Sequence, residues 1–425
     1  MKEFYLKPKF FSTLKDYSSQ QFLKDLIAGL IVAIIALPLS IALALASGAE
    51  PQQGIYTAIF AGFTVSLLGG SNIQIAGPTA AFATIVAGVI ATQGMEGLIL
   101  ATLMAGVILI IMGVCKLGGL IKFVPTTITV GFTSGIAVTI LLGQIKDFLG
   151  LTYAPGTVAV ETFEKMEANI HAIDTFSWQA LVIGAISLLI LIVYPKFEKR
   201  VPPSLIAVIV SVLLVKFIPV FSENVATIGG LYPNIKAGFP KFTLSGLEFG
   251  IDKALAVLPD AVTIAILAGI ESLLSCVVAD KMVDAKHNPN AELVAQGCGN
   301  MLSVMFGGIP ATGAIARTAA NAKNGGKTPV AGVVHAVVLL LVILVLLPLA
   351  KLIPMPAIAA ILFMVAYNMS EWRHFVEICK SEKWFNVAIL VITFVLTVVK
   401  DLVVAIVVGL VLHFAIVLVK KLIKK

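Results

Sequence analysis

Charge is scarce in this chain. Of 425 residues, Lys and Arg number 30 and Asp and Glu 23, so charged residues make up 12% where a soluble domain carries roughly 25%. That shortage excludes an ordinary soluble globular protein. Cysteine is nearly absent as well. Cys115, Cys276, Cys298 and Cys379 show no metal-ligand spacing and lie in or beside apolar runs, where they read as reduced packing residues. The sequence holds no nucleophile–base constellation and no metal constellation, which argues against an enzyme and against a cofactor. Gly326-Lys327-Thr328 imitates the end of a phosphate-binding loop, but position 321 is Asn instead of Gly, so that pattern fails.

What is abundant is hydrophobic sequence, 59% of residues, with a mean hydropathy of +1.03. Runs approaching the roughly 20 residues that cross a bilayer fall near 22–46, 52–69, 73–92, 97–115, 119–145, 176–194, 202–220, 254–279, 291–306, 310–323, 329–350, 354–369, 385–399 and 401–420. The pattern predicts an all-α polytopic membrane protein with fourteen segments. Residues 1–21 form a lead-in, 22–220 a first group of seven segments, 221–252 a loop, and 253–425 a second group of seven. Phe4–Phe22 reads as an amphipathic stretch on the membrane surface.

Charge placement checks the count. With the N-terminus inside and every segment crossing or re-entering in turn, 21 of the 30 Lys and Arg fall inside, 8 fall outside, and Arg317 alone stays within the membrane. Cytoplasmic termini follow from the positive-inside rule; a miscount by one would put clusters such as Lys196–Arg200 on the wrong side. The net charge of +7 therefore reflects orientation in a cell (inner) membrane, and nothing calls for nucleic acid.

Two stretches break the membrane pattern alike. Ser71–Ala83, SNIQIAGPTAAFA, and Gly307–Ala319, GGIPATGAIARTA, each run from an extended piece through Gly and Pro into a helix of small residues too short to span alone. They occupy the third and tenth segments. Seven is odd, so the second group enters with opposite orientation, and interrupted segments at matching positions of an inverted repeat point to a transporter's binding site. A helix that starts inside a bilayer has unpaired N–H groups and a positive dipole end, both suited to an anion. Pro78 suits a first helical turn, leaving the amides of Thr79, Ala80 and Ala81 free. Thr312 is placed to cap the second helix, and Gly313, Ala314 and Ala316 offer amides.

Charged residues at membrane depth cost at least about 2.5–3.5 kcal/mol on insertion scales and mark function. Arg317 supplies positive potential to an anion, or else pairs structurally with a carbonyl or carboxylate. Glu271, in the middle of Ala261–Ala279, could carry a proton or offer oxygens to Na⁺, and Ser275 lies one turn on, on the same face. Asp260, behind Pro259, reads as the outer end of that helix. His335 and His413 read as hydrogen-bonded packing residues, and Gly131-x-x-x-Gly135 as a helix-packing motif.

Three stretches carry a family resemblance. Pro38–Ala81 with ALPLSIALALASGAEPQQGIYTAIFAGFTVSLLGGSNIQIAGPTAA, Glu271–Lys281 with ESLLSCVVADK, and Gly307–Gly332 with GGIPATGAIARTAANAKNGGKTPVAG resemble the signature of the sulfate permease (SulP) family. The resemblance implies two inverted repeats of seven segments, as in nucleobase-cation symporters, with segments 1–4 and 8–11 as a core domain and 5–7 and 12–14 as a gate domain. It implies transport of sulfate, bicarbonate, chloride or dicarboxylates by a homodimer in the lipid bilayer. By motif, Leu39 and Leu43 line the anion site from the first segment, Thr79 and Ala80 from the third, and Ala316 and Arg317 from the tenth. Glu271 and Ser275 match the acidic and hydroxyl residues of the eighth. In bicarbonate-transporting members that pair looks like a sodium site, usually with Asp; bacterial members with Glu resemble proton-coupled symporters. Coupling is thus to H⁺ or Na⁺, symport and exchange both remain open, and an uncoupled anion channel is the alternative. A nucleobase symporter would want a carboxylate on the tenth segment, which has none. Family members usually end in a cytoplasmic STAS domain, which these 425 residues do not include.

Overall fold

In the computed structural model the described residues are all but 1–5, 15–16, 120–124, 156, 158, 160, 199–200, 234–237, 245–249, 401 and 424–425, and the side chains of 402–403 and 418–423 are also left aside. The predicted surface positions Phe4, Lys2, Lys15, Lys122, Lys199, Arg200, Lys236, Lys424 and Lys425 lie outside the described residues.

Every predicted segment coincides with a helix or a strand–helix unit. Ser18 caps α1, Ser19–Ala46, by accepting from the Gln21 amide at 3.2 Å. α2 is Pro51–Leu68. A two-residue strand β1, Ala76–Gly77, precedes α3, Ala80–Val114, whose path breaks at Gly94 with φ of +69° and ψ of −178°. That conformation favours glycine, and it divides the expected third segment from the fourth. α4 is Thr126–Gly143, α5 Trp178–Val193 and α6 Pro203–Phe217. α7, Ile251–Val283, and α8, Pro289–Met305, lead to β2, Thr312–Gly313, and the short α9, Ile315–Lys323. α10 is Val330–Val345, α11 Met355–Met369, α12 Trp384–Val399 and α13 Leu402–Ile423. Of these, α1, α3, α4 (as Thr126–Leu149 with a short continuation), α5 (as Trp178–Lys196) and α7 are long and apolar enough to cross a membrane by length and composition.

The helices pack in two groups. α3 lies on α7 and α8, α2 on α8, and α10 on α1 and α2, while α9 sits against α7 and α1. Separately, α12 packs on α4 and α13, and α11 on α5 and α4. The Gly131-x-x-x-Gly135 motif explains the α4–α12 contact. A Cβ on Gly131 would come 2.8 Å from the Leu390 carbonyl oxygen, and one on Gly135 would come 2.6 Å from Thr397 Cβ. Only bare backbone admits α12 that closely. Gly106 and Gly297 serve α3 and α8 likewise, each facing the other's carbonyl.

Three expectations change here. α7 begins at Ile251, so Pro259 and Asp260 lie within the helix and not at its outer end; the missing proline N–H frees the carbonyl four residues back, at Leu255, a break that membrane helices tolerate. Cys115 and Cys379 are exposed, whereas Cys276 is buried and Cys298 lies between. His335 is buried, and among the described residues neither ring nitrogen has a hydrogen-bond partner.

Candidate anion and cation site

Extended backbone inside a protein must find partners for its polar groups. Here each half of the chain supplies them to the other. β1 and β2 pair antiparallel, Ala76 opposite Gly313 and Gly77 opposite Thr312. The Ala314 amide extends the ladder to the Ile75 carbonyl at 2.8 Å. From α9, Asn321 Nδ2 donates to the Ile73 carbonyl at 2.9 Å and Thr318 Oγ1 accepts from the Ile75 amide at 3.0 Å. From α8, Asn300 brackets Ala311, donating to its carbonyl and accepting from its amide, both at 2.8 Å. Ser272 of α7 accepts from the Gly313 amide at 3.0 Å and lies 2.7 Å from Thr312 Oγ1.

Beneath the strands lies a carboxylate that the sequence reading passed over. Glu292 is fully buried in the first turn of α8. It accepts from the Gly70 amide at 2.9 Å, from Gln296 Nε2 at 2.9 Å and from Gln74 Nε2 at 2.7 Å. Gln74 in turn accepts from Cys276 Sγ at 3.3 Å. An acid at the start of a helix ordinarily answers the dipole, which hides a second use; the one available signal was Gln296, one turn on.

The strands deliver two helix starts to one place. α3 begins after Thr79 and α9 after Ala314, and neither start is capped by a side chain. The first amides to find carbonyls are Phe82, to Thr79 at 3.2 Å, and Thr318, to Ala314 at 2.9 Å. The amides of Ala80 and Ala81, and of Ile315, Ala316 and Arg317, precede them. Several assignments sharpen as a result. Pro78 lies one residue before the cap, not in the first turn. Thr312 does not cap α9: it belongs to β2, and its hydroxyl donates to the Ala268 carbonyl at 3.1 Å. The amides of Gly313 and Ala314 are already used, by Ser272 and Ile75. Ile315 and Ala316 are exposed while Thr312–Ala314 behind them are buried.

Arg317 is 1% exposed. Its Nη2 donates to the Pro78 carbonyl at 3.1 Å, tying α9 to the start of α3, while Nε and Nη1 have no partner among the described residues. Gly77 makes room for it, since a Cβ there would strike Nη1. Glu271 is half-buried, and Thr79 Oγ1 donates to its Oε2 at 2.9 Å. Ser275 is buried and turned toward Thr318, its Oγ donating at 3.5 Å. Leu43 and Ala80 belong to one continuous apolar core, with Leu39 packed against it. Among the described residues no group of three or more His, Cys, Asp or Glu could hold a metal ion.

At the end of the chain expected to face the cytoplasm, Asp25 is fully buried. It accepts from Tyr17 Oη at 2.9 Å, Thr328 Oγ1 at 2.7 Å, the Lys327 amide at 2.9 Å and Gln21 Nε2 at 3.0 Å. The connector after α9 is thereby fastened to the start of α1. Burial first, then the hydrogen bond and charge of Asp25, push the Tyr17 phenol up to about 12.

The model of the sulfate permease family matches residues 22–393. YvdB of Bacillus subtilis is 44% identical over 96% of this chain and 75% of its own length. The bicarbonate transporter BicA of a Picosynechococcus strain is 35% identical over 91% of this chain and 68% of its own. The solved transmembrane domain of a cyanobacterial bicarbonate transporter BicA superposes with a TM-score of 0.82 at 30% identity, covering 92% of this chain and 98% of that one.

Proposed function

The chain belongs to the sulfate permease family, and we propose that it is a secondary active transporter of a small anion of the sulfate, bicarbonate or dicarboxylate class. The anion binds between the starts of α3 and α9. The observation that carries this reading is the antiparallel β1–β2 pair, which brings two uncapped helix N-termini together beside a buried arginine. Two dipole ends and a guanidinium offer an anion fixed positive potential without a mobile side chain in its path. The donors left for it are the amides of Ala80 and Ala81 and of Ile315 and Ala316, while Gly313 and Ala314 hold the strands in register.

Glu271 carries the coupling ion, H⁺ or Na⁺. Its bond to Thr79, the residue from which α3 starts, gives the cation site a direct link to the anion site. Binding both ions together keeps the charge moved through low dielectric small. The group containing α1–α3 and α7–α10 moves past the group containing α4–α6 and α11–α13, exposing the site to either side in turn. We further propose that the two seven-segment groups are inverted repeats, a reading supported by the antiparallel pairing of β1 with β2. The protein then works as a homodimer in the cell membrane with both termini cytoplasmic. Uptake of labelled sulfate, bicarbonate and fumarate into proteoliposomes, under imposed pH or sodium gradients, tests the reading; no saturable, gradient-driven uptake of any of them would end it.

A further inference from the structure

His335 lies on α10 wholly inside the protein, and neither Nδ1 nor Nε2 has a hydrogen-bond partner. Arg317, also buried, leaves Nε and Nη1 unpartnered. Buried side-chain nitrogens are satisfied in the large majority of cases, so these, unpartnered among the described residues, call for a physical account, and Nη1 with one ring nitrogen admits one.

α2 and β1 bring the two side chains to one face. Ala58 packs against Gly77, where Arg317 Nη1 lies. One turn along α2, Gly62 faces the next strand residue: a Cβ there would lie 3.2 Å from the Ala76 carbonyl oxygen and 3.5 Å from His335 Nδ1. Arg317 Nη1 thus lies beside Gly77 and Ala58, and His335 Nδ1 and the Ala76 carbonyl oxygen both border the space beside Gly62; Ala58 and Gly62 are about one helical turn apart on α2, ~5.4 Å along its axis. That is roughly the span of two hydrogen bonds through one oxygen atom. The chemistry matches as well. The guanidinium is all donor, a neutral imidazole has one acceptor nitrogen, and the Ala76 carbonyl is an acceptor.

We propose that one water joins these groups, accepting from Arg317 Nη1 and donating to His335 and to the Ala76 carbonyl, and that His335 is thereby a positioning residue for Arg317. The bridge fixes the guanidinium behind the strand while Nη2 stays on Pro78. It also ties α10 to the anion site. The inference rests on the assignment of Arg317 to the anion.

The test is labelled-anion uptake in proteoliposomes, with KM and Vmax resolved separately. His335→Leu keeps bulk and removes both nitrogens; the expected result is a rise in KM of roughly tenfold with Vmax changed less than about twofold. A tenfold change corresponds to about 1.4 kcal/mol, in the range of one hydrogen bond. His335→Gln, with an amide donor and acceptor, should return KM to within about threefold of the parent. Gly62→Ala, whose methyl enters the water's place, should raise KM as His335→Leu does, and it serves if the leucine variant does not fold. An unchanged KM in the folded variants, or equal impairment of the Leu and Gln variants, overturns the proposal. Arg317→Ala is the control for the underlying assignment. If it too leaves KM unchanged, the anion role of Arg317 has failed, whereas an effect there with none at His335 refutes the bridge alone.

Discussion

Thr79 donates to Glu271 across 2.9 Å, and the same threonine is the residue from which α3 starts. One side chain thus touches both the carboxylate assigned to the cation and the helix end assigned to the anion. Hydrogen bonds to charged groups contribute about 1.5–3 kcal/mol, enough for roughly ten- to a hundredfold effects. Thr79→Val keeps the shape and removes the donor. Gradient-driven uptake should fall by at least about tenfold while exchange of anion for anion persists. Equal loss of both would mean that the hydroxyl serves the anion directly and not the coupling.

Glu271→Gln keeps the hydrogen-bond geometry but removes the charge. The variant should fold, retain anion binding and lose acceleration by an imposed pH or sodium gradient. Coupling at the parent level would remove Glu271 from the mechanism.

Gly77 and Arg317 are packed so closely that a methyl group cannot be added between them. Gly77→Ala must displace the guanidinium tip, while the Ala58 atoms nearby stay at an ordinary 3.5 Å. Anion KM should rise at least about fivefold, and thermal stability should fall with it. A variant that matches the parent in both would show that the strand yields freely and that the pocket for Arg317 is loose.

Glu292 meets three donors, from Gly70, Gln74 and Gln296. Glu292→Ala takes this acceptor from the Gly70 amide and from Gln296 Nε2, at about 1–3 kcal/mol for each group, while Gln74 Nε2 keeps the Ser272 carbonyl at 3.2 Å. A marked drop in thermal unfolding temperature is expected, with a smaller drop for Glu292→Gln, which can still accept at its carbonyl oxygen. If alanine and glutamine lower it equally, the negative charge and not the acceptor count is what the site requires.

The fold and the two paired strand–helix breaks were legible in the sequence because Gly, Pro and small residues interrupt two apolar runs, at Ser71–Ala83 and Gly307–Ala319. Inside a membrane protein such interruptions mean that backbone polar groups turn elsewhere for partners. Which groups supply them was not legible. Asn300 with Ala311, Ser272 with Gly313 and Thr318 with Ile75 join residues from 11 to 243 positions apart, and no local pattern marks a polar residue as a clamp. This is why Thr312 read as a cap and Gly313 as an anion ligand, when one fills a strand position and the other spends its amide on Ser272. Asp25 was hidden for a different reason: an acid in the first turns of a helix already has an ordinary explanation in the dipole.

Tyr17 gives a stability test outside the membrane. Its phenol titrates near 12 in the folded protein against an ordinary 10.0. A raised value means the folded state holds the proton more tightly than the unfolded chain. The associated stabilisation is therefore complete below pH 10 and disappears as pH rises through about 12. Tyr17→Phe should flatten the fall of unfolding temperature between those two values. An unaltered slope would show that Tyr17 does not titrate against Asp25.

The most direct measurement is the concentration dependence of labelled sulfate and bicarbonate uptake in proteoliposomes, comparing the parent with Arg317→Ala. On the proposal that a guanidinium and two helix starts serve one anion, the parent should saturate and be driven by a pH or sodium gradient. The variant, with folding checked by its unfolding temperature, should show KM raised by about tenfold or more. A folded Arg317→Ala protein with the parent's KM for every anion it carries would contradict the site described here.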